Sequence, residues 1–93
     1  MHIEVRWPSD GDGAELARLT AAEHHRAVAL AAEGTLRRLW RIPGQRANWG
    51  LWEASDATVL HKAISSLPLF PWLAVTVHPL ALHPNDPAPA AAR

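Results

Sequence analysis

The chain contains no cysteine, which excludes disulfide scaffolds, cysteine-based zinc sites and thiol nucleophiles. It also has no excess of one charge, because nine Lys and Arg residues balance nine Asp and Glu residues. Domains that bind nucleic acid or an anionic lipid surface usually carry a basic excess. Neither nucleic acid nor a membrane surface is therefore expected as a partner.

Long hydrophobic runs are missing as well. The longest, residues 67–75, is interrupted by Pro68 and Pro71 and is too short to cross a bilayer. Charged Glu4 and Arg6 stand where a secretory signal would need an apolar segment. The sequence therefore predicts a protein that works in the cytoplasm.

Tryptophan, by contrast, is abundant, with five residues in a chain of 93. A domain of this size buries only about 60–65% of its unfolded surface, so large aromatic side chains are hard to cover within one subunit. The Trp content favours burial against a second copy of the chain, with ordinary core packing as the alternative.

The apolar pattern predicts four strands and two helices. The first helix spans residues 12–33, between a cap at Asp12 and a stop at Gly34, and the second begins at Ser55 or Asp56 and ends before Pro68. The turn sequence PGQR joins the second and third strands as a hairpin. The predicted strands are residues 2–7, 35–42, 47–54 and 72–78.

This β-α-β-β-α-β order predicts an α+β, ferredoxin-like domain over residues 1–83, with both helices on one sheet face. Residues 84–93 are rich in Pro and Ala and are predicted to form a flexible tail. Bulky strand residues such as Leu39 and Trp49 cannot all face two helices. We therefore expect two sheets to pair into a dimeric α+β barrel.

Glu23 is the most informative polar residue of the first helix. At 100° per residue it falls in the middle of the apolar stripe rather than on the solvent side. A buried carboxylate needs a cation or hydrogen-bond donor, or else its pKa rises. The two interpretations are a structural ion pair with a strand arginine and a general acid-base residue. The stripe consists of Leu16, Leu19, Ala27 and Leu30.

The second strand offers cationic partners for a carboxylate. Strict alternation puts Arg37 and Arg41 on one face, and Arg38 on the other face between Leu36 and Trp40. An arginine in that setting can bind a carboxylate bidentately, although strand arginines are often simply solvated.

Asn48 and the histidines offer weaker signals. Asn48 can donate to a ligand carbonyl or stabilise the hairpin turn. His24 and His25 diverge by about 100° on the helix and have no third ligand at suitable spacing, so no metal site is expected.

Three segments together resemble the muconolactone delta-isomerase family, which includes chloromuconolactone dehalogenases. They are GTLRRLWR, GQRAN and LPLFP, and the similarity covers residues 19–84. The resemblance implies a ferredoxin-like subunit in a homo-oligomeric ring of dimers, a small acidic lactone as substrate, and no cofactor or metal. The alternatives are an isomerase of another acidic lactone and a non-catalytic binding or assembly module.

The family reaction shifts a ring double bond in a carboxymethyl butenolide of the ketoadipate route of aromatic degradation. The resemblance implies that Glu23 carries the proton. The family commonly has Lys where this chain has Thr20, so we expect Arg38 to supply the catalytic cation. The substrate-binding residues implied are Thr20, Trp40, Arg41, Asn48, Leu69, Phe70 and Trp72.

Overall fold

The computed structural model describes residues 1–88, and the last residues of the predicted tail lie outside this range. The predicted element order is confirmed, although most elements are shorter than the pattern suggested. Five elements precede the proline-rich corner: β1 (His2–Val5), α1 (Gly13–Ala32), β2 (Leu36–Arg41), β3 (Ala47–Trp52) and α2 (Ala57–Ser65). A 3₁₀ turn (Phe70–Trp72) and β4 (Leu73–Thr76) follow.

Local capping explains where α1 begins and ends. The Asp12 side chain accepts hydrogen bonds from the backbone N–H groups of Ala14 (2.9 Å) and Glu15 (3.4 Å), which have no partner within the helix. The Glu15 carboxylate accepts from Arg18 Nε at 3.0 Å instead of completing a reciprocal capping box. Gly34 has φ +82°, a conformation that favours glycine and ends the helix.

The sheet has the strand order β2-β3-β1-β4, with every neighbouring pair antiparallel. This is the order of a ferredoxin-like sheet, in which the two crossover helices share one face. Leu30 of α1, Ala63 of α2 and Leu67 form the buried core cluster, and Trp52 of β3 packs against it. The ferredoxin-like α+β fold predicted from the sequence is therefore confirmed.

A β-bulge in β2 changes which of its residues share a face. Leu36 pairs with Trp52, whereas Arg38, two positions later, pairs with the adjacent residue Leu51. Because paired residues lie on the same face and neighbours on a strand alternate, Leu36 and Arg38 lie on opposite faces. The prediction that Leu36, Arg38 and Trp40 share a face is wrong, since strict alternation does not hold across a bulge.

The sheet face away from the helices, here called the open sheet face, carries Arg38, Trp40, Trp49 and Leu51. Large apolar side chains remain accessible there, with Trp40 47%, Trp49 43% and Leu51 42% exposed. The guanidinium of Arg38 lies 4.9 Å from the centre of the Trp40 ring, a cation-π contact. Neither helix covers this apolar surface.

No helix within residues 1–88 combines the length and the apolar character needed to cross a bilayer.

Candidate active site

Glu23 lines an apolar cavity between α1 and the helix-facing side of the sheet. The cavity has a volume of about 90 Å³, smaller than the roughly 300–1,000 Å³ typical of small-molecule sites. No Lys, Arg or His is among its lining residues. Its other walls are Ile3, Val5, Ala27, Leu36, Leu39, Asn48, Trp52, Leu67 and Leu73.

The LPLFP corner brings a backbone donor to Glu23. The N–H of Leu69 donates to Glu23 Oε1 at 3.1 Å, although the two residues are 46 positions apart. The corner is held by two local turns, in which Phe70 N–H donates to the Leu67 carbonyl (2.9 Å) and Trp72 N–H to the Leu69 carbonyl (2.8 Å). Pro71 is the second residue of the 3₁₀ turn, in its first turn, where its missing N–H and fixed φ are compatible with helical geometry. The stiff corner therefore fixes the direction of one amide.

Half-burial in the cavity raises the pKa of Glu23, because desolvation disfavours the ionised form. The hydrogen bond from Leu69 opposes this effect and lowers the pKa, but burial is the larger influence. Within residues 1–88 Glu23 makes no ion pair. The arrangement leaves a partly desolvated carboxylate free to exchange a proton, and it does not match the structural ion pair considered from the sequence.

Two other polar groups of the cavity residues lack protein partners. Asn48 Oδ1 and Trp52 Nε1 are both buried and make no hydrogen bond within the described chain. Buried polar atoms are nearly always paired, so unpaired ones call for an explanation. A bound polar ligand would supply the missing partners.

The structure divides the two candidate arginines between the sheet faces. Arg41 pairs with Asn48, so it extends from the edge strand on the cavity side, where its side chain is exposed. Arg38 and Trp40 lie on the open sheet face instead, away from Glu23. The bulge thus separates Arg38 from the carboxylate that it was expected to serve.

The remaining sequence candidates also differ in position. Thr20 is exposed, and its hydroxyl donates to the Leu16 carbonyl at 2.8 Å, so it bonds to its own helix. Phe70 packs against the core cluster. Trp72 packs on Trp7, with ring centres 4.8 Å apart, and is not part of the cavity wall.

Trp52 is the polar-tipped cavity residue that the sequence reasoning did not single out. The available signal was its spacing, because residues 48, 50 and 52 of one strand face the same side. Leu67 and Leu73 are also cavity walls, and the sequence pattern does not distinguish them from other apolar residues.

In the part of the chain that the structure describes, no group of three or more His, Asp or Glu side chains is arranged to hold a metal ion.

The family model for muconolactone delta-isomerase matches residues 1–86 of the chain. This chain belongs to the muconolactone delta-isomerase family. Two curated members are muconolactone delta-isomerase 2 of Acinetobacter lwoffii, 40% identical over 91% of each chain, and muconolactone delta-isomerase of Pseudomonas aeruginosa, 38% identical over 90% of this chain and 88% of its own. The resemblance drawn from the three sequence segments is therefore confirmed.

A solved member of the family supports the same assignment in three dimensions. The crystal structure of a muconolactone isomerase superposes with a TM-score of 0.85 at 37% sequence identity, covering 95% of this chain and 94% of the other. The ferredoxin-like subunit is thus shared with a structure of known identity.

Proposed function

We propose that this chain is a muconolactone delta-isomerase that uses Glu23 as its proton carrier. Its membership of the family supports the reaction, since the curated relatives carry that name. The observation that supports the role of Glu23 is its position: an unpaired, half-buried carboxylate lines the cavity and accepts one amide hydrogen bond. The proposed substrate is muconolactone, a small acidic lactone.

The proposed reaction needs only proton transfer. The Glu23 carboxylate removes a proton from the ring γ carbon, and the electron pair moves through the ring to the lactone carbonyl oxygen, giving a dienolate. Glu23 then returns the proton to the α carbon, which leaves the double bond in its new place. One carboxylate can perform both steps because the γ and α carbons belong to the same five-membered ring and only the β carbon lies between them. The Leu69 amide holds the carboxylate in place during the transfer.

Deuterium exchange tests this function directly. Muconolactone is incubated with the protein in D₂O and followed by ¹H NMR. The expected result is conversion to the enol lactone, with deuterium incorporated at the exchanging carbons. Absence of both conversion and exchange would contradict the proposed function. The remaining alternatives would be an isomerase of a different acidic lactone and a protein that only binds its ligand.

Arg41 is proposed to bind the substrate carboxylate. It lies on the cavity side of the edge strand and makes no ion pair within residues 1–88. Arg41→Met removes a contact to the substrate carboxylate that is made already in the ground state. The variant should therefore raise KM for muconolactone by about tenfold or more, with a smaller change in kcat. Steady-state kinetics measure both constants.

Arg38→Met is the comparison variant, because Arg38 lies on the opposite sheet face. Its KM is expected to match that of the wild type when both proteins have the same assembly mass. The opposite result would be a loss of turnover in Arg38→Met at wild-type assembly mass, together with wild-type kinetic constants in Arg41→Met. That result would restore the cationic role first assigned to Arg38.

The chain is also proposed to be a homo-oligomer of sheet-paired dimers. The exposed Trp40, Trp49 and Leu51 of the open sheet face support this, since such a patch is normally covered in solution. Light scattering should show no stable monomer at micromolar concentration, and Trp49→Asp should shift the mass towards the monomer. A folded wild-type monomer would contradict the proposal.

We propose that the protein is located in the cytoplasm, because small metabolites such as the proposed lactone substrate are degraded there. Cell fractionation of the native host tests it.

A further inference from the structure

The cavity presents an electrostatic problem for the proposed reaction. A dienolate carries negative charge on the former carbonyl oxygen, and the residues lining the cavity include no Lys, Arg or His. Stabilisation of such an oxygen generally contributes a large share of the catalysis when a proton is removed from a carbon conjugated with a carbonyl. In this cavity the stabilising donors must be neutral, or must reach in from the rim.

Trp52 has an indole N–H in an unusual position. Nε1 lies 2.6 Å from the point where a side chain at Gly50 would begin, so the ring leans back along β3 over the glycine. The space exists because Gly50 has no Cβ. Asn48 is the next residue on that face, and alternate residues of a strand are about 7 Å apart. The indole N–H is therefore brought toward the Asn48 amide.

The unpaired indole N–H of Trp52 is complementary to a carbonyl oxygen, whereas the unpaired atom of Asn48 is its acceptor Oδ1. Trp52 Nε1 is a donor only, and the Asn48 amide can turn its NH₂ towards a ligand. The unpaired atoms of Trp52 and Asn48 are buried. Leu39 Cδ1 lies 3.3 Å from the same point above Gly50, on an edge-strand side chain that is 50% exposed. Rotation of the exposed Leu39 side chain would uncover the indole N–H for a ligand.

We propose that the Trp52 indole N–H, supported by Asn48, is the hydrogen-bond donor that binds the lactone carbonyl oxygen and stabilises the dienolate. This inference rests on the proposed function and assigns a further catalytic residue to it. Glu23 removes the proton from the γ carbon, and the electron pair ends on the oxygen held by Trp52. When the proton returns at the α carbon, the carbonyl is restored and the hydrogen bond weakens.

Trp52→Phe is the test variant, because it removes the N–H and keeps an aromatic ring. With muconolactone, kcat should fall by about 10²-fold while KM changes little, the pattern for a donor that acts mainly in the transition state. Trp7→Phe is the matched control. Trp7 also has a buried, unpaired Nε1 beside a glycine, 2.5 Å from the Cβ position of Gly11, but it does not line the Glu23 cavity.

A pair of unreactive ligands separates hydrogen bonding from a structural effect. 5-Oxotetrahydrofuran-2-acetate keeps the lactone carbonyl, and tetrahydrofuran-2-acetate lacks it. The wild type should prefer the first ligand by roughly tenfold, the scale of one hydrogen bond, and Trp52→Phe should lose this preference. In the wild type, the ¹⁵N-labelled indole N–H resonance of Trp52 should shift with the first ligand only.

The outcomes distinguish this inference from the proposed function. If the wild type does not convert muconolactone but shows the carbonyl preference and the indole shift, the donor site stands and the reaction assignment fails. If the wild type is active and Trp52→Phe keeps wild-type kcat and the carbonyl preference, the inference is overturned. If Trp52→Phe does not fold, the wild-type indole resonance decides, and the absence of a shift overturns the inference.

Discussion

Replacing Glu23 with Gln is expected to lower muconolactone turnover by about 10² to 10⁴-fold while the fold survives. The range is that of a general acid-base residue, and Gln keeps the shape of the side chain but cannot take up the proton. Steady-state kinetics and circular dichroism measure the two effects. Glu33→Gln is the matched control, because it removes an exposed carboxylate at the C-terminal cap of the same helix, outside the cavity.

The pH dependence gives an independent test of the same residue. Because burial raises the pKa of Glu23, the acid limb of kcat/KM should lie above the ordinary titration range of a glutamate and should be absent from the residual activity of Glu23→Gln.

Stability should follow a defined sign. A raised pKa in the folded state gives a stabilising contribution that is full below the unfolded pKa and is lost as pH rises through the folded pKa. Gln does not ionise, so the Glu23→Gln variant does not lose this stability as the pH rises. At neutral pH the variant should therefore unfold at the same denaturant concentration as the wild type or a higher one. If Glu23→Gln kept wild-type activity but was clearly less stable than the wild type, Glu23 would have a structural role.

Leu30→Ala is expected to produce the largest loss of stability, about 2–5 kcal/mol in the free energy of unfolding. Leu30 is 1% exposed and lies in the cluster where α1 meets α2, so truncation leaves a cavity that the surroundings fill only partly. For a domain of this size the melting temperature should fall by about 8 °C or more. Thermal unfolding at one fixed protein concentration measures it, because oligomer stability depends on concentration.

Val28→Ala is the control for this loss, on the same helix but at a side chain that is 55% exposed. Its effect should stay within about 0.5 kcal/mol, as for most surface positions. Equal destabilisation by the two variants would show that burial of Leu30 in the core cluster does not account for the loss.

The sequence by itself determined the element order and the fold class. Hydrophobic periods of two and 3.6 residues indicate which positions are buried. Asp12, Gly34 and Pro68 set the ends of the helices, because each has a local effect on the backbone. The same period places Glu23 in an apolar stripe, because a helix turns by a nearly constant angle per residue. Three short segments were sufficient for the family, as the comparisons confirm.

Only the tertiary structure decided what surrounds Glu23. The β2 bulge moved Arg38 to the open sheet face, and an extra residue in one strand is defined by its pairing partner rather than by its own sequence. The donor to Glu23 is the backbone N–H of Leu69, and nearly every residue has such a group, so no residue type marks it. The place of the Trp52 N–H depends on the space over Gly50, a contact between side chain and backbone that local periodicity does not encode.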